Sequence, residues 1–272
     1  MARVVSGCWW LSSRAQGGRA VAKVVIVGDV GGCAEQLVRV VGPLVDEPDT
    51  VVIQVGDLVD RGPDSPGVLA FVRERLEADP RRWVQLIGNH EAPYLGAEPF
   101  WPVPLGQADA VLLRTWWLKE WLRVAAAVRT AEGEELLVTH AGLTVAAWEE
   151  LGGPVTAGTA ADLLNTRPEE LLFSYGGPLW AEAGQVYGSW LLDRRPAPFS
   201  QVHGHSTVVS FQHCSWLCEE RVRQRATVDW VARHTVARIN GARFVGVDPK
   251  HGTAGAARWA PLVLEGAQLI GV

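Results

Sequence analysis

Three apolar runs in the first third of the chain each stop at a residue able to bind a metal ion or carry a proton. VVIVGD ends at Asp29, VVIQVGD at Asp57, and VQLIGNH at Asn89 and His90. Asp60 and Arg61 follow Asp57 within one turn-forming stretch, GDLVDRG. Two later runs end the same way, LLVTH at His140 and the run over 199–203 at HGHS, which carries His205. Carboxylate, carboxamide and imidazole together suit a borderline divalent ion, Mn²⁺, Fe²⁺ or Zn²⁺, and not a soft thiolate site. Two such ions, bridged by one carboxylate and a water, would polarise phosphoryl oxygens and yield a hydroxide near neutral pH. A histidine beside them suits protonation of a leaving oxygen. A fixed arginine suits the charge that develops on the phosphoryl group.

Such residues have to be delivered by strands. In an open α/β sheet the crevice beyond the carboxyl ends of parallel strands is where ligands bind. Strands are expected over 24–28, 51–55 and 83–87, separated by helical patterns in AEQLVRVVGPLV and VLAFVRERLEA. That alternation predicts a parallel sheet with right-handed crossovers. The loop over 93–106, rich in Pro, Gly and aromatics, is expected to rim the site. The segment 107–129 reads as one long helix, with Trp116, Trp117 and Trp121 on a core-facing side. A helix-rich, Gly-interrupted stretch runs to about 195. The rest reads as β, with a hairpin at Asn240-Gly241 and a closing hairpin over 261–272.

Composition narrows the function classes. The chain has 272 residues, 48% hydrophobic, with a net charge of −5. The acidic balance argues against general nucleic-acid binding, which needs a basic surface. No apolar run approaches the length of a membrane-spanning helix, and the first residues make a poor secretory signal. The scattered cysteines Cys8, Cys33, Cys214 and Cys218 form no C-x-x-C pair and fit a reducing cytoplasm. His213, Cys214 and Cys218 lack an evident fourth zinc ligand. The expected organisation is an extension over 1–22 and one domain over 23–272.

Taken in order, GDVGG, GDLVDRG, GNHE, THAGL and HGHS resemble the five blocks of the calcineurin-like metallophosphoesterases. The DRG form resembles the phosphoprotein phosphatase branch and its bacterial relatives, diadenosine-tetraphosphatase-like enzymes among them. The blocks span residues 24–206. The resemblance implies an α/β fold of four layers, α-β-β-α, with two mixed sheets flanked by helices. It implies that Asp29 binds a first metal, that Asp57 bridges two, and that Asn89, His140 and His205 hold the second. His90 would be the general acid, oriented by Asp60, and Arg61 and Asn89 would bind the substrate phosphate. Manganese is the expected metal, with iron or zinc as alternatives, and the expected partner is a phosphorylated substrate. His203 matches no ligand and reads as structural.

Two positions depart from the family's pattern. Gly31 stands where the family has a first-metal histidine, so either the ion binds more weakly, or another residue substitutes, or one ion suffices. Cys33 and His251 are the candidate substitutes. Glu182, in Leu179-Trp180-Ala181-Glu182, stands where many bacterial relatives have a phosphate-binding arginine, for which Arg194 or Arg195 could compensate. The expected function is metal-dependent hydrolysis of a phosphate monoester or anhydride. The alternative is a degenerate, non-catalytic binding module that keeps the fold.

Overall fold

The structure is a computed structural model and describes residues 23–96, 100–250 and 258–272. His251, the candidate substitute ligand, and Cys8 lie outside the described residues. The first elements alternate as the sequence predicts: β1 (Lys23–Val27), α1 (Ala34–Val45), β2 (Thr50–Gln54), α2 (Ser65–Ala78) and β3 (Trp83–Leu86). Next come α3 (Gln107–Leu118), β4 (Leu122–Arg123), β5 (Ala125–Arg129) and β6 (Glu135–Thr139). Helices α4 (Val145–Glu150), α5 (Ala157–Asn165), α6 (Glu169–Leu172) and α7 (Ala183–Asp193) precede β7 (Ser200–His203). A small ribbon, β8 (Val209–Ser210) and β9 (Ser215–Trp216), and α8 (Glu220–Arg223) follow. The chain closes with β10 (Ala226–Asp229), β11 (His234–Ile239), β12 (Ala242–Gly246), β13 (Leu262–Glu265) and β14 (Gln268–Gly271).

Two large mixed sheets result, ordered β13-β1-β2-β3-β4 and β10-β11-β12-β7-β6-β5-β14. Strands β1 to β4 run parallel, with β13 antiparallel at the edge. In the second sheet β12, β7 and β6 run parallel and the outer pairs antiparallel. Side chains alternate across a strand, and the near-continuous apolar runs of the central strands serve two faces. In β1, Val24 and Ile26 pack toward the second sheet, against Val138, Val202 and Val245. Val25 and Val27 pack toward α1, α2 and α3, through Leu37, Val41, Val68 and Trp116. The second sheet is covered in turn by α4, α5 and α6 and by α7, whose Tyr187 and Trp190 meet Phe244. The four layers are helix, sheet, sheet, helix.

Two expectations need correction. The helix over 107–129 ends at Leu118: Glu120 takes φ 57°, and Ala125–Arg129 is a strand inside the second sheet. Ala125 to Val128 are fully buried between β6 and β14, so tertiary pairing overrides the helical propensity of alanine. The closing residues form no hairpin. β13 pairs with β1 in one sheet and β14 with β5 in the other, so this segment straddles the sandwich. The Asn240-Gly241 hairpin is as expected, with φ of 50° and 87°.

Candidate active site

The carboxyl ends of β1, β2 and β3 meet those of β6 and β7 where the two sheets face each other. The loop after β2 is held in a rare conformation. Asp57, Asp60 and Arg61 have φ of 54°, 67° and 58°, a region that costs a non-glycine residue about 1–3 kcal/mol. Buried Glu91 braces it. One carboxylate oxygen accepts from the amides of Asp57 (2.9 Å) and Gly88 (2.8 Å), the other from Leu58 (2.8 Å) and Val59 (3.3 Å). Burial, then the Asp57 charge, push the Glu91 pKa up to about 7 against those bonds. Gln54, fully buried, ties the ends of β1 and β2 together by donating to the carbonyls of Gly28 (3.1 Å) and Gly56 (2.7 Å). A β-carbon on Gly88 would collide with the Asp57 amide, so the β2 and β3 loops meet backbone to backbone.

Four side chains turn their donor atoms toward one point. The Asn89 carboxamide oxygen lies 3.0 Å from His140 Nε2 and 2.9 Å from His205 Nδ1. His140 Nε2 is 3.3 Å from Asp57 Oδ1. His140 donates from Nδ1 to the Val55 carbonyl at 2.9 Å, which leaves the Nε2 lone pair facing Asn89 and Asp57. Burial lowers the His140 pKa and, with the His140 charge, pushes His205 down to about 3. Burial alone would raise Asp57, but His140, His90 and Arg61 outweigh it and hold it at about 2. All three side chains are therefore in their metal-binding protonation states at neutral pH. Ligand atoms of Asp57, His140 and His205 lie within 4.8 Å of one another. Asp57 Oδ2 is buried without a hydrogen-bond partner. This nitrogen and oxygen set fits a divalent cation of the borderline class.

Asp29 stands beside this group, its Oδ1 accepting from the His205 amide at 2.9 Å and its buried Oδ2 without a hydrogen-bond partner. Burial, then Asp248, then Asp57, raise its pKa well above the usual carboxylate range. Gly31 has φ 51° and donates its amide to the Asp57 carbonyl at 2.8 Å. Cys33 is buried and bonds weakly back to the Gly31 carbonyl at 3.7 Å, a local role in the loop.

On the other side of Asp57, His90 Nδ1 is 2.7 Å from Asp60 Oδ2. Arg61 reaches 3.0 Å from His90 Nε2 and 3.6 Å from Asp57 Oδ2. Burial lowers the His90 pKa, but the Asp60 hydrogen bond and the Asp57 charge outweigh it and the net shift is upward. Rings line this side. Phe100 and Trp101 stand edge-on to His90 at 4.9 and 5.4 Å, and Trp180 is 6.0 Å from Phe100. The predicted rim loop thus does border the site.

His203 is fully buried and bonded to the Tyr187 hydroxyl at 2.9 Å, a structural histidine. Glu182 is the exposed residue before α7. Arg195 is paired with Asp193 (2.7 Å) and Glu149 (2.5 Å) on the surface. Asp248 and Lys250 were missed by sequence reasoning. Asp248 does end an apolar run, RFVGVD, so the signal that marked Asp29 and Asp57 was present there too. Among the described residues no helix is long and apolar enough to cross a membrane.

Known proteins resemble this chain in sequence and in fold. The chain aligns at 32% identity over 120 residues, 42% of this chain and 47% of the relative, with serine/threonine-protein phosphatase 1 of Salmonella typhimurium. It aligns at 33% over 130 residues, 44% of this chain and 43% of the relative, with the symmetrical bis(5'-nucleosyl)-tetraphosphatase of Salmonella paratyphi B. The matched segments thus span less than half of these curated relatives. Among solved structures, the cold-active protein-tyrosine phosphatase of a psychrophilic Shewanella species has the same fold, with TM-score 0.52 at 17% identity over 90% of this chain and 76% of that one. Residues 22–239, which include every strand end that meets at Asp57, match the family described as calcineurin-like phosphoesterase, and the chain belongs to it.

Proposed function

We propose that the chain is a metal-dependent phosphohydrolase acting on phosphate monoesters or anhydrides. The observation that carries this reading is the meeting of Asp57, Asn89, His140 and His205 at one point, with the His90–Asp60 pair and Arg61 on a single side of it. Asp57, Asn89, His140 and His205 would hold a divalent ion, with Asp29 next to them. Manganese is the first choice for this set, iron or zinc the alternatives. When bound, the ion supplies Lewis acidity and draws the pKa of water down toward neutrality.

The chain's own groups do the rest. Arg61, fixed between His90 and Asp57, grips the phosphoryl oxygens, and Asn89 adds its amide. With Arg61 drawn off His90 Nε2 by the phosphoryl oxygens, a protonated His90 delivers a proton to the departing oxygen. Asp60 positions the ring and favours its protonated form, the direction in which the His90 pKa is displaced. Burial of Asp57 and His90 keeps bulk water from screening these charges. A leaving group that receives its proton from His90 must lie against Phe100 and Trp101. We therefore favour a substrate with a flat aromatic leaving group.

Hydrolysis of an aryl phosphate with and without added Mn²⁺ tests the reading. Asp57→Ala and His90→Ala are expected to lower kcat by at least a thousandfold while the fold persists by circular dichroism. Unchanged turnover in both would refute it. Gly31 motivates the second reading, a non-catalytic binding module; a folded chain that takes up Mn²⁺ yet turns over no phosphate ester would establish that one.

A further inference from the structure

Among the described residues, the Asp29 side of the site is short of ligands for a cation. Gly31 has no side chain to offer, and Asp29 Oδ1 is already engaged by the His205 amide. A basic side chain reaches in from the end of β12. Lys250 Nζ donates to the His205 carbonyl at 2.8 Å and pairs with Asp248 Oδ2 at 3.1 Å. The Lys250 amide also donates to Asp248 Oδ1 at 2.7 Å, so one lysine engages both oxygens of this buried carboxylate. Asp248 is thus paired in charge with Lys250, while its buried Oδ2 has no hydrogen-bond partner.

We infer that the Lys250 ammonium supplies the fixed positive charge that a first metal ion would bring beside Asp29, so that the chain holds one divalent ion, at Asp57, Asn89, His140 and His205. The inference rests on the metal-dependent reading proposed above. Charge balance supports it. Asp29, Asp57 and Asp248 are three buried carboxylates, and Asp248 and Asp57 both act electrostatically on Asp29. One divalent ion and one ammonium neutralise three carboxylates and leave Arg61 for the substrate. Lys250 already acts on Asp29, lowering its pKa against the carboxylates that raise it. A second dication at Asp29 would have to sit against the ammonium, with Asp29 and a shared Asp57 as its carboxylates. Borderline cations seek four to six donors. Lys250 acts here as a positioning and charge-balancing group, not as a residue that contacts the reacting atoms.

The test is metal stoichiometry on the full chain, read apart from activity. The chain is loaded with Mn²⁺, freed of excess ion, and assayed by elemental analysis and electron paramagnetic resonance. One Mn²⁺ per chain, with a spectrum free of exchange coupling, is expected. Lys250→Met should raise the stoichiometry to two and introduce exchange coupling, while Lys250→Arg should stay at one. Two coupled ions in the unaltered chain would overturn the inference and leave the hydrolase reading standing. So would a Lys250→Met variant that still holds one ion at unchanged affinity. No ion and no hydrolysis in the unaltered chain would sink the hydrolase reading itself. If Lys250→Met fails to fold, the stoichiometry of the unaltered chain still decides.

Discussion

Glu91 accepts four amide hydrogens at once, and those amides belong to both loops that carry Asp57 and Asn89. A glutamine has a single oxygen. Its NH₂ would face two N–H groups that have no other acceptor, and buried donors left unpaired cost about 1–3 kcal/mol each. Glu91→Gln is therefore expected to lose about 3 kcal/mol in urea denaturation and to bind Mn²⁺ more weakly in the same preparation. A loss below about 0.5 kcal/mol would mean that the four bonds do not brace the loop. His90 gives a second prediction at this scale. Its pKa is raised, chiefly by the Asp60 hydrogen bond acting against burial. As the proton donor it must be protonated, so kcat/KM should fall as pH rises through a value higher than that of an ordinary histidine. Asp60→Asn removes the raising partner and should move that limb to lower pH. A limb that stays in place would disconnect Asp60 from the acid.

The strand-end loops make opposite demands on glycine from those of the helices. A β-carbon at Gly88 collides with the Asp57 amide and carboxylate, whereas one at Gly188, inside α7, meets nothing within 4 Å. Gly88→Ala should cost about 3 kcal/mol, as a forced overpacking does, and should displace Asp57 enough to abolish Mn²⁺ uptake. Gly188→Ala should instead stabilise the chain by up to about 1 kcal/mol, through helix propensity. Thermal melts of the two variants decide the matter; equal effects would refute the account of the loop packing. The same contrast shows what could be read from the residues alone. Asp29, Asp57, Asn89 and His140 were legible because each directly follows its own apolar run, a local pattern. Glu91 stands in the same GNHE block, but its four bonds are tertiary facts with no local signature. Ala125–Arg129 misread as helix because alanine carries no period to mark a strand. β13 and β14 misread as a hairpin because only the finished sandwich assigns them to different sheets.

Across the whole molecule, the proposed cation joins the two sheets. Asp57 and Asn89 come from the loops after β2 and β3, His140 and His205 from those after β6 and β7. An ion held by all four can bind only when both sheets are in place, so binding is linked to folding. At a free Mn²⁺ concentration about a hundredfold above Kd, the linkage amounts to about 2.7 kcal/mol. For a chain of this size that is roughly 5–10 °C in Tm. The pH dependence follows from the ligands. An ordinary histidine site loses its metal as the rings protonate near pH 6.5. Here burial lowers His140 and holds His205 near 3, and Asp57 stays ionised down to about 2. A histidine whose folded-state pKa is depressed stays neutral as pH falls through its ordinary value, so protons compete with the ion less than at an ordinary histidine site. The Tm increment on adding Mn²⁺ should therefore be about the same at pH 7.5 and pH 5.5, and chelation by EDTA should remove it at both. Differential scanning calorimetry at the two pH values reads this directly. An increment that collapses between pH 7 and pH 6 would mean that the rings titrate as free histidines do, and that the ion does not sit where the two sheets meet.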